Sequence, residues 1–211
     1  MTDTSDTARP TTSRSRERAG RRVGYGEGRA ALLRAAVRVV ARRGLRHLTY
    51  RAVAEEAGVT HGLVVHHFGS RDALIEEALA YAVRTSVSTS LLESGSGRVE
   101  DFAAGLSELV EADPDLQAFQ YELLLEARRR PELREQVRAL YDDYRAATER
   151  ELSRILPADA GPGLTRLVFS ALDGLVLYQL TLGERGDTDA AVGELRELLR
   201  GLAGERGARQ E

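Results

Sequence analysis

Three of the chain's four histidines, His61, His66 and His67, fall in one stretch, AEEAGVTHGLVVHHF, residues 54–68. Imidazoles this close raise three possibilities: they bind a metal, form part of a core, or enter a DNA groove. On a helix, side chains turn by about 100° per residue, so His66 lies ~140° and His67 ~240° around the axis from His61. The three rings do not converge on one point, and no second cluster supplies further ligands. The chain has no cysteine, so thiolate ligands and disulfides are both unavailable. No metal and no cofactor is expected. Gly58 divides the stretch into two short helical segments, and that division points to the groove.

The elements that must position these residues can be read from periodicity. Leu33, Val37 and Val40 recur at i, i+4 and i+7, with Arg34, Arg38 and Arg42 on other faces, which predicts a first helix ending at Gly44. Thr49 is a good N-cap for a second, YRAVAEEA, which Gly58 ends. Thr60 is placed to cap a third, HGLVVHHF, and Ser70 a fourth beginning RDALIEEALAYAV. Two short helices joined by a tight glycine turn form a helix-turn-helix. Val53 and Ala57 should face inward, Ala54 should allow close approach, and Val59 and Val64 should close the small core. The outer face of the third helix then offers His61, Gly62, Val65 and His66 to base edges in a major groove.

At this point the sequence resembles a family. From about Arg29 to Leu79, roughly a quarter of the chain, it is similar to the DNA-binding domain of TetR-type transcriptional regulators. The resemblance rests on LLRAAVRVVARRG, the Thr49 cap, VAEEAGV, Thr60, Gly62, His67-Phe68, Ser70-Arg71-Asp72 and Leu74. It implies three N-terminal helices that bind operator DNA as a dimer. It also implies C-terminal helices that form a ligand pocket, the last two building a four-helix dimer interface, with a small molecule shifting the two reading heads to release DNA. Two positions depart from the usual pattern. Val65 stands where Tyr is usual; it donates no hydrogen bond but can touch a thymine methyl. Arg71 stands where Lys is usual and adds a fork-like geometry for phosphate. The expected DNA-binding residues are Arg46, Thr49, Tyr50, Arg51, Thr60, His61, Gly62, Val65, His66, His67 and Arg71. For His67 packing and phosphate contact both stand open. His61 and His66 are either DNA-facing or solvated. Arg14, Arg16, Arg18, Arg21 and Arg22 either enter a neighbouring minor groove or remain a solvated tail.

Charge divides the chain in the same way. There is no lysine; all 30 basic residues are arginine. Residues 1–71 hold 14 Arg against 6 acids, a net +8, whereas residues 72–211 hold 16 Arg against 27 acids, a net −11. A basic module that meets a polyanion, joined to an acidic module with another task, fits this split. Residues 1–24 carry almost nothing apolar and should be a disordered basic tail. Residues 25–71 form the DNA-binding domain, and residues 72–211 a helical effector-binding and dimerisation domain. No apolar run reaches the ~18 residues of a membrane span, and no secretory leader is evident, so a cytoplasmic protein is expected.

Beyond residue 71 the reading is helical throughout. SGSGR at 94–98 is a break, and Pro114 and Pro131 sit where helices begin. PELREQVRALYDDYRAATERELSRIL is a long amphipathic helix. LTRLVFSALDGLVLYQLTLG is the most apolar segment and should be buried on most sides. DTDAAVGELRELLRGLAG is a last amphipathic helix. The fold class is all-α, with about nine helices. Effector-site candidates are the polar and aromatic residues that interrupt apolar faces: Phe119, Gln120, Tyr121, Tyr141, Tyr144, Asp173 and Tyr178, with Glu122 and Gln179 beside them. A carboxylate in SALDGLVLYQL must be paired, protonated, solvated or facing a cavity. Asp173 is therefore either a hydrogen-bonded core or interface residue, or an anchor for a cationic or hydroxyl-bearing ligand. No phosphate loop, nucleophile elbow or paired-carboxylate motif is present, so no enzyme activity is expected. The function expected is a ligand-responsive repressor that binds a palindromic double-stranded operator as a homodimer and is released by a small, largely apolar effector. The alternative is a helical small-molecule-binding or protein-interaction module whose DNA binding is vestigial.

Overall fold

The structure is a computed structural model that describes residues 25–88, 95–156 and 161–208. The tail expected over residues 1–24 lies outside the described residues. Among the described residues there are nine α-helices and no strand. In order they are α1 (Tyr25–Arg43), α2 (Tyr50–Ala57), α3 (His61–Phe68), α4 (Arg71–Ser88), α5 (Leu106–Ala112), α6 (Pro114–Glu126), α7 (Arg134–Ile155), α8 (Gly161–Thr181) and α9 (Arg185–Ala208). Three 3-10 turns, Leu45–His47, Val99–Asp101 and Pro131–Leu133, link them. No helix among the described residues is long and apolar enough to cross a membrane.

Two apolar cores organise the chain. The first gathers Leu32, Val39, Val40, Leu45, Leu48, Val53, Val64 and Phe68 from the N-terminal helices. It continues through Leu74, Ala78 and Leu79 of α4 and takes in Leu116, Phe119 and Leu123 of α6. It therefore runs past the boundary expected at residues 71–72, because α4 carries a core-facing apolar stripe from its first turn. The second core joins Phe102, Leu106 and Val110 to Leu152 of α7, Val168, Leu172 and Val176 of α8, and Val192 and Leu199 of α9. Tyr121 packs on this second core, so α6 has one face in each.

The starts and stops follow local chemistry, with two corrections. Thr49 Oγ1 accepts the Ala52 amide at 3.1 Å, and Ser70 Oγ accepts that of Ala73 at 3.1 Å. Gly58 ends α2 with a left-handed backbone at φ 68°, a conformation that costs a side-chain-bearing residue about 1–2 kcal/mol. Thr60, by contrast, makes no side-chain cap on α3. Val59 does not close the core but stands 37% exposed, because the Gly58 turn lifts it off α2. A third correction concerns α8. It is not buried on most sides: Leu167 and Tyr178 are 68% and 47% exposed, and Leu182 just beyond its end is 81% exposed.

Candidate nucleic-acid interface and effector site

The third helix is held by its inner face. Val64, His67 and Phe68 are buried, spaced i, i+3 and i+4, so Gly62 and His66 point the opposite way. Thr60, His61, Gly62, Leu63, Val65 and His66 are all exposed. Arg29 of α1 anchors the far end of the helix. Its Nε lies 2.9 Å from Glu77 Oε2, its Nη1 donates to the His67 carbonyl at 3.1 Å, and its guanidinium covers the Phe68 ring at 5.1 Å. Arg71 anchors the turn below α2. Its Nε donates to the Leu48 carbonyl and its Nη2 to the Leu45 carbonyl, both at 2.8 Å. The fork geometry expected for phosphate is thus used on backbone, which fixes the 3-10 turn against α4.

The other expected contact residues divide in the same way. Arg46 and Thr49 are exposed, and Arg51 stands 86% exposed with only the surface pair to Glu55 at 3.4 Å. Such a pair is worth little, so Arg51 is available to a polyanion. Tyr50 is half-buried; its ring meets His61 edge-on at 5.9 Å, and its hydroxyl is covered by protein. His67 packs against the rings of His66 and Phe68. Burial, with the neighbouring His66 and Arg29 charges, holds it below the usual imidazole range. Leu63, 38% exposed, belongs to the presented face although sequence reasoning passed over it; its place next to Val64 on a short helix was the available signal.

A second cluster lies where α6, α7 and α8 meet. The Tyr121 hydroxyl donates toward Asp173, 2.9 Å from its carbonyl and 3.0 Å from Oδ1. The Tyr144 hydroxyl donates to Gln120 Oε1 at 2.9 Å. Tyr141 meets Tyr144 edge-on at 6.3 Å and Phe169 edge-on at 5.8 Å, and Tyr144 stacks on Phe169 at 6.4 Å. Burial pushes the Asp173 carboxyl above the usual carboxylate range, against the opposing pull of the Tyr121 hydrogen bond. Burial and the nearby Asp173 charge push Tyr121 and Tyr141 well above the usual phenol range. The result is a carboxylate edged by phenols and rings, with no guanidinium among the described residues bonded to it.

Gln120, Tyr121, Tyr141, Tyr144 and Asp173 are therefore brought together, with Phe169 added. Phe169 stands four residues before Asp173 on the same face of α8, a spacing visible in the sequence. Phe119 and Tyr178 fall elsewhere. Phe119 is 1% exposed in the first core, and Tyr178 lies on the outward face of α8. Gln179 donates to the Ser107 carbonyl at 3.0 Å and ties α8 to α5, while Glu122 lines a cleft beside Gly44. Tyr141 also lines a cavity of about 510 Å³ with Leu124, Ala127, Val137 and three arginines. Among the described residues no group of three or more His, Asp or Glu side chains is placed to hold a metal ion.

Residues 32–78 match the family model described as bacterial regulatory proteins, tetR family, and residues 97–205 match that of the tetracyclin repressor-like C-terminal domain. The HTH-type transcriptional regulator BetI of Paraburkholderia xenovorans is 28% identical over 175 residues, covering 78% of this chain and 87% of its own. A TetR-family structure from Streptomyces coelicolor A3 is 29% identical, with a TM-score of 0.62 over 84% of this chain and 98% of its own. The multidrug binding protein EbrR, solved with imidazole, is 29% identical, with a TM-score of 0.58 over 83% of this chain and 94% of its own.

Proposed function

Because the chain belongs to the TetR family of bacterial transcriptional regulators, we propose that it is a homodimeric repressor released from a palindromic operator by a small organic cation with an apolar body. The observation that carries this reading is the Asp173 carboxylate, half-buried among phenols and rings on α8 and bonded to α6, a helix with one face in each core. A buried charge with no basic partner is costly, and a ligand cation over aromatic faces relieves that cost while gaining cation–π attraction. Tyr121 and Gln120 bring this site onto α6, whose other face, through Leu116, Phe119 and Leu123, is part of the DNA-binding core. An occupant that parts the rings therefore presses on the helix that carries the reading head. The relative EbrR holds imidazole in one structure and proflavin in another, both basic heterocycles.

The dimer follows from α8. Leu167, Ala171, Gly174 and Tyr178, with Leu182 just past the helix end, form one exposed stripe, away from the inward residues Thr165, Val168, Leu172 and Val176. Leu198 of α9 is 67% exposed. The occupant of such a face is a second copy of the chain, which sets the two α3 helices against successive half-sites. Arg46, Arg51 and Thr49 contact phosphate, and His61 and His66 reach base edges. Operator DNA puts the protein in the cytoplasm.

The test is selection of genomic fragments by the purified protein at two salt concentrations, then release by tetraethylammonium. The reading expects a palindrome, an affinity that falls steeply with salt, and release by the cation. It fails if no sequence is enriched at either salt.

A further inference from the structure

The face that α3 presents is defined by what it lacks. From Ala57 to Ser70 the chain contains no Arg, Lys, Asn, Gln, Asp or Glu. Those are the side chains that pair bidentately with guanine or adenine, or accept from the cytosine amino group. The exposed set is Thr60, His61, Gly62, Leu63, Val65 and His66. Val59, Leu63 and Val65 stand 37%, 38% and 37% exposed. Gly62 has no heavy atom within 4 Å of where a side chain would begin. Packing inside the protein thus does not require a glycine there, and its absent side chain leaves the helix backbone open to the groove.

Aliphatic groups have one specific partner in the major groove, the C5-methyl of thymine. We propose that this chain selects its operator mainly through thymine methyl groups, packed by Val65 and Leu63 of α3 with Val59 at the turn. His61 and His66 add single hydrogen bonds, and the arginines outside α3 supply affinity without sequence. The inference rests on the DNA-binding reading above and adds what is read. Hydrophobic contact with a methyl is short-ranged and free of charge, so selectivity is independent of salt while total affinity is not.

The experiment uses the operator recovered by fragment selection, synthesised with uracil in place of thymine at one position at a time. This removes the methyl and leaves every hydrogen-bonding group. Affinity is read by fluorescence anisotropy with the full chain. Each contacted thymine should cost about fourfold, the worth of one methyl returned to water, and about fifteenfold when both symmetric half-sites are changed. Leu63→Ala and Val65→Ala, at exposed positions and checked for unchanged melting, should each abolish the uracil effect at their own thymine. Specific binding that ignores uracil everywhere overturns the inference and leaves the repressor reading intact. A uracil effect that neither variant alters assigns the selectivity to DNA shape and also overturns it. Failure to recover any operator overturns both.

Discussion

Replacing Asp173 by Asn should move stability and ligand binding in opposite directions. The amide keeps a hydrogen-bond acceptor for the Tyr121 hydroxyl, at 3.0 Å in the parent, and removes only the charge. Burial raises the Asp173 pKa in the folded state. The folded chain therefore favours the neutral acid, a contribution fully present below the unfolded value near 3.8 and lost as pH rises through the raised folded value. At neutral pH the charged form is a cost that Asn does not carry, so the variant should melt higher than the parent. The difference should shrink as pH falls and the parent carboxyl takes up its proton. The cation loses its counter-charge. Two unit charges ~5 Å apart at an effective dielectric of about 20 attract by roughly 3 kcal/mol. Asp173 retains some solvent access, so a loss of about 1.4–2.7 kcal/mol is expected, a factor of about 10 to 100 in affinity. Calorimetric titration with tetraethylammonium, beside melting curves from pH 5 to 8, reads both effects. A neutral tetra-alkyl analogue should bind parent and variant alike. The reasoning is refuted if the Asn variant keeps its cation affinity within about twofold, or if it melts below the parent at pH 7.

Other perturbations test the remaining parts. Leu182→Glu with Leu198→Glu, at positions 81% and 67% exposed, should leave helical content unchanged. Sedimentation should show monomers, and operator affinity should fall because two half-sites no longer bind as a unit. Arg71→Met keeps the apolar stem but removes both donors to the Leu45 and Leu48 carbonyls. A loss of about 1.5–3 kcal/mol is expected by chemical denaturation, only partly recovered by Arg71→Lys, whose single ammonium cannot reproduce the fork. His67, held below the usual range by burial and by the His66 and Arg29 charges, makes folding less stable as pH falls through about 6.5. His67→Gln should flatten the fall in melting temperature between pH 7 and 5.

The sequence made the N-terminal half legible because its signals are local. A cap such as Thr49, a left-handed Gly58 and an inward Val64 depend on neighbours a few residues away. The misreadings there came from atoms just beyond that range. Thr60 has the right type for a cap, yet its hydroxyl is not used. Arg71 has the right charge for phosphate, yet carbonyls 23 and 26 residues away claim it. The candidate effector cluster was half legible. Polar interruptions marked Gln120, Tyr121, Tyr141, Tyr144 and Asp173, but an apolar residue that lines a site looks like any core residue, so Phe169 was missed. Phe119 was included because it adjoins Gln120 in sequence, although 100° of helical turn sends it into the other core. The exposed stripe along α8 was misread because an exposed apolar face has the composition of a core.

That same 100° gives Phe119 a part in the proposed release. Coupling between two sites needs an element that each site biases, and typical couplings are about 1–3 kcal/mol. In the proposed release that element is α6, with Phe119 fully enclosed on the head side and Tyr121 bonded to Asp173 on the other. An enclosed ring cannot move without displacing what surrounds it, so the proposed release expects a shift of Tyr121 to be passed to the core under α1 rather than absorbed locally. Polar ties add to the apolar ones: Arg42 at the end of α1 holds Asp115 at the start of α6 at 2.7 Å. That pair is exposed and contributes little to stability, but it joins the two helices at the point where motion of one must reach the other. In the proposed release the acidic half would act on the basic half through α6, with α7, which places Val137 in the first core and Leu152 in the second, as a further route.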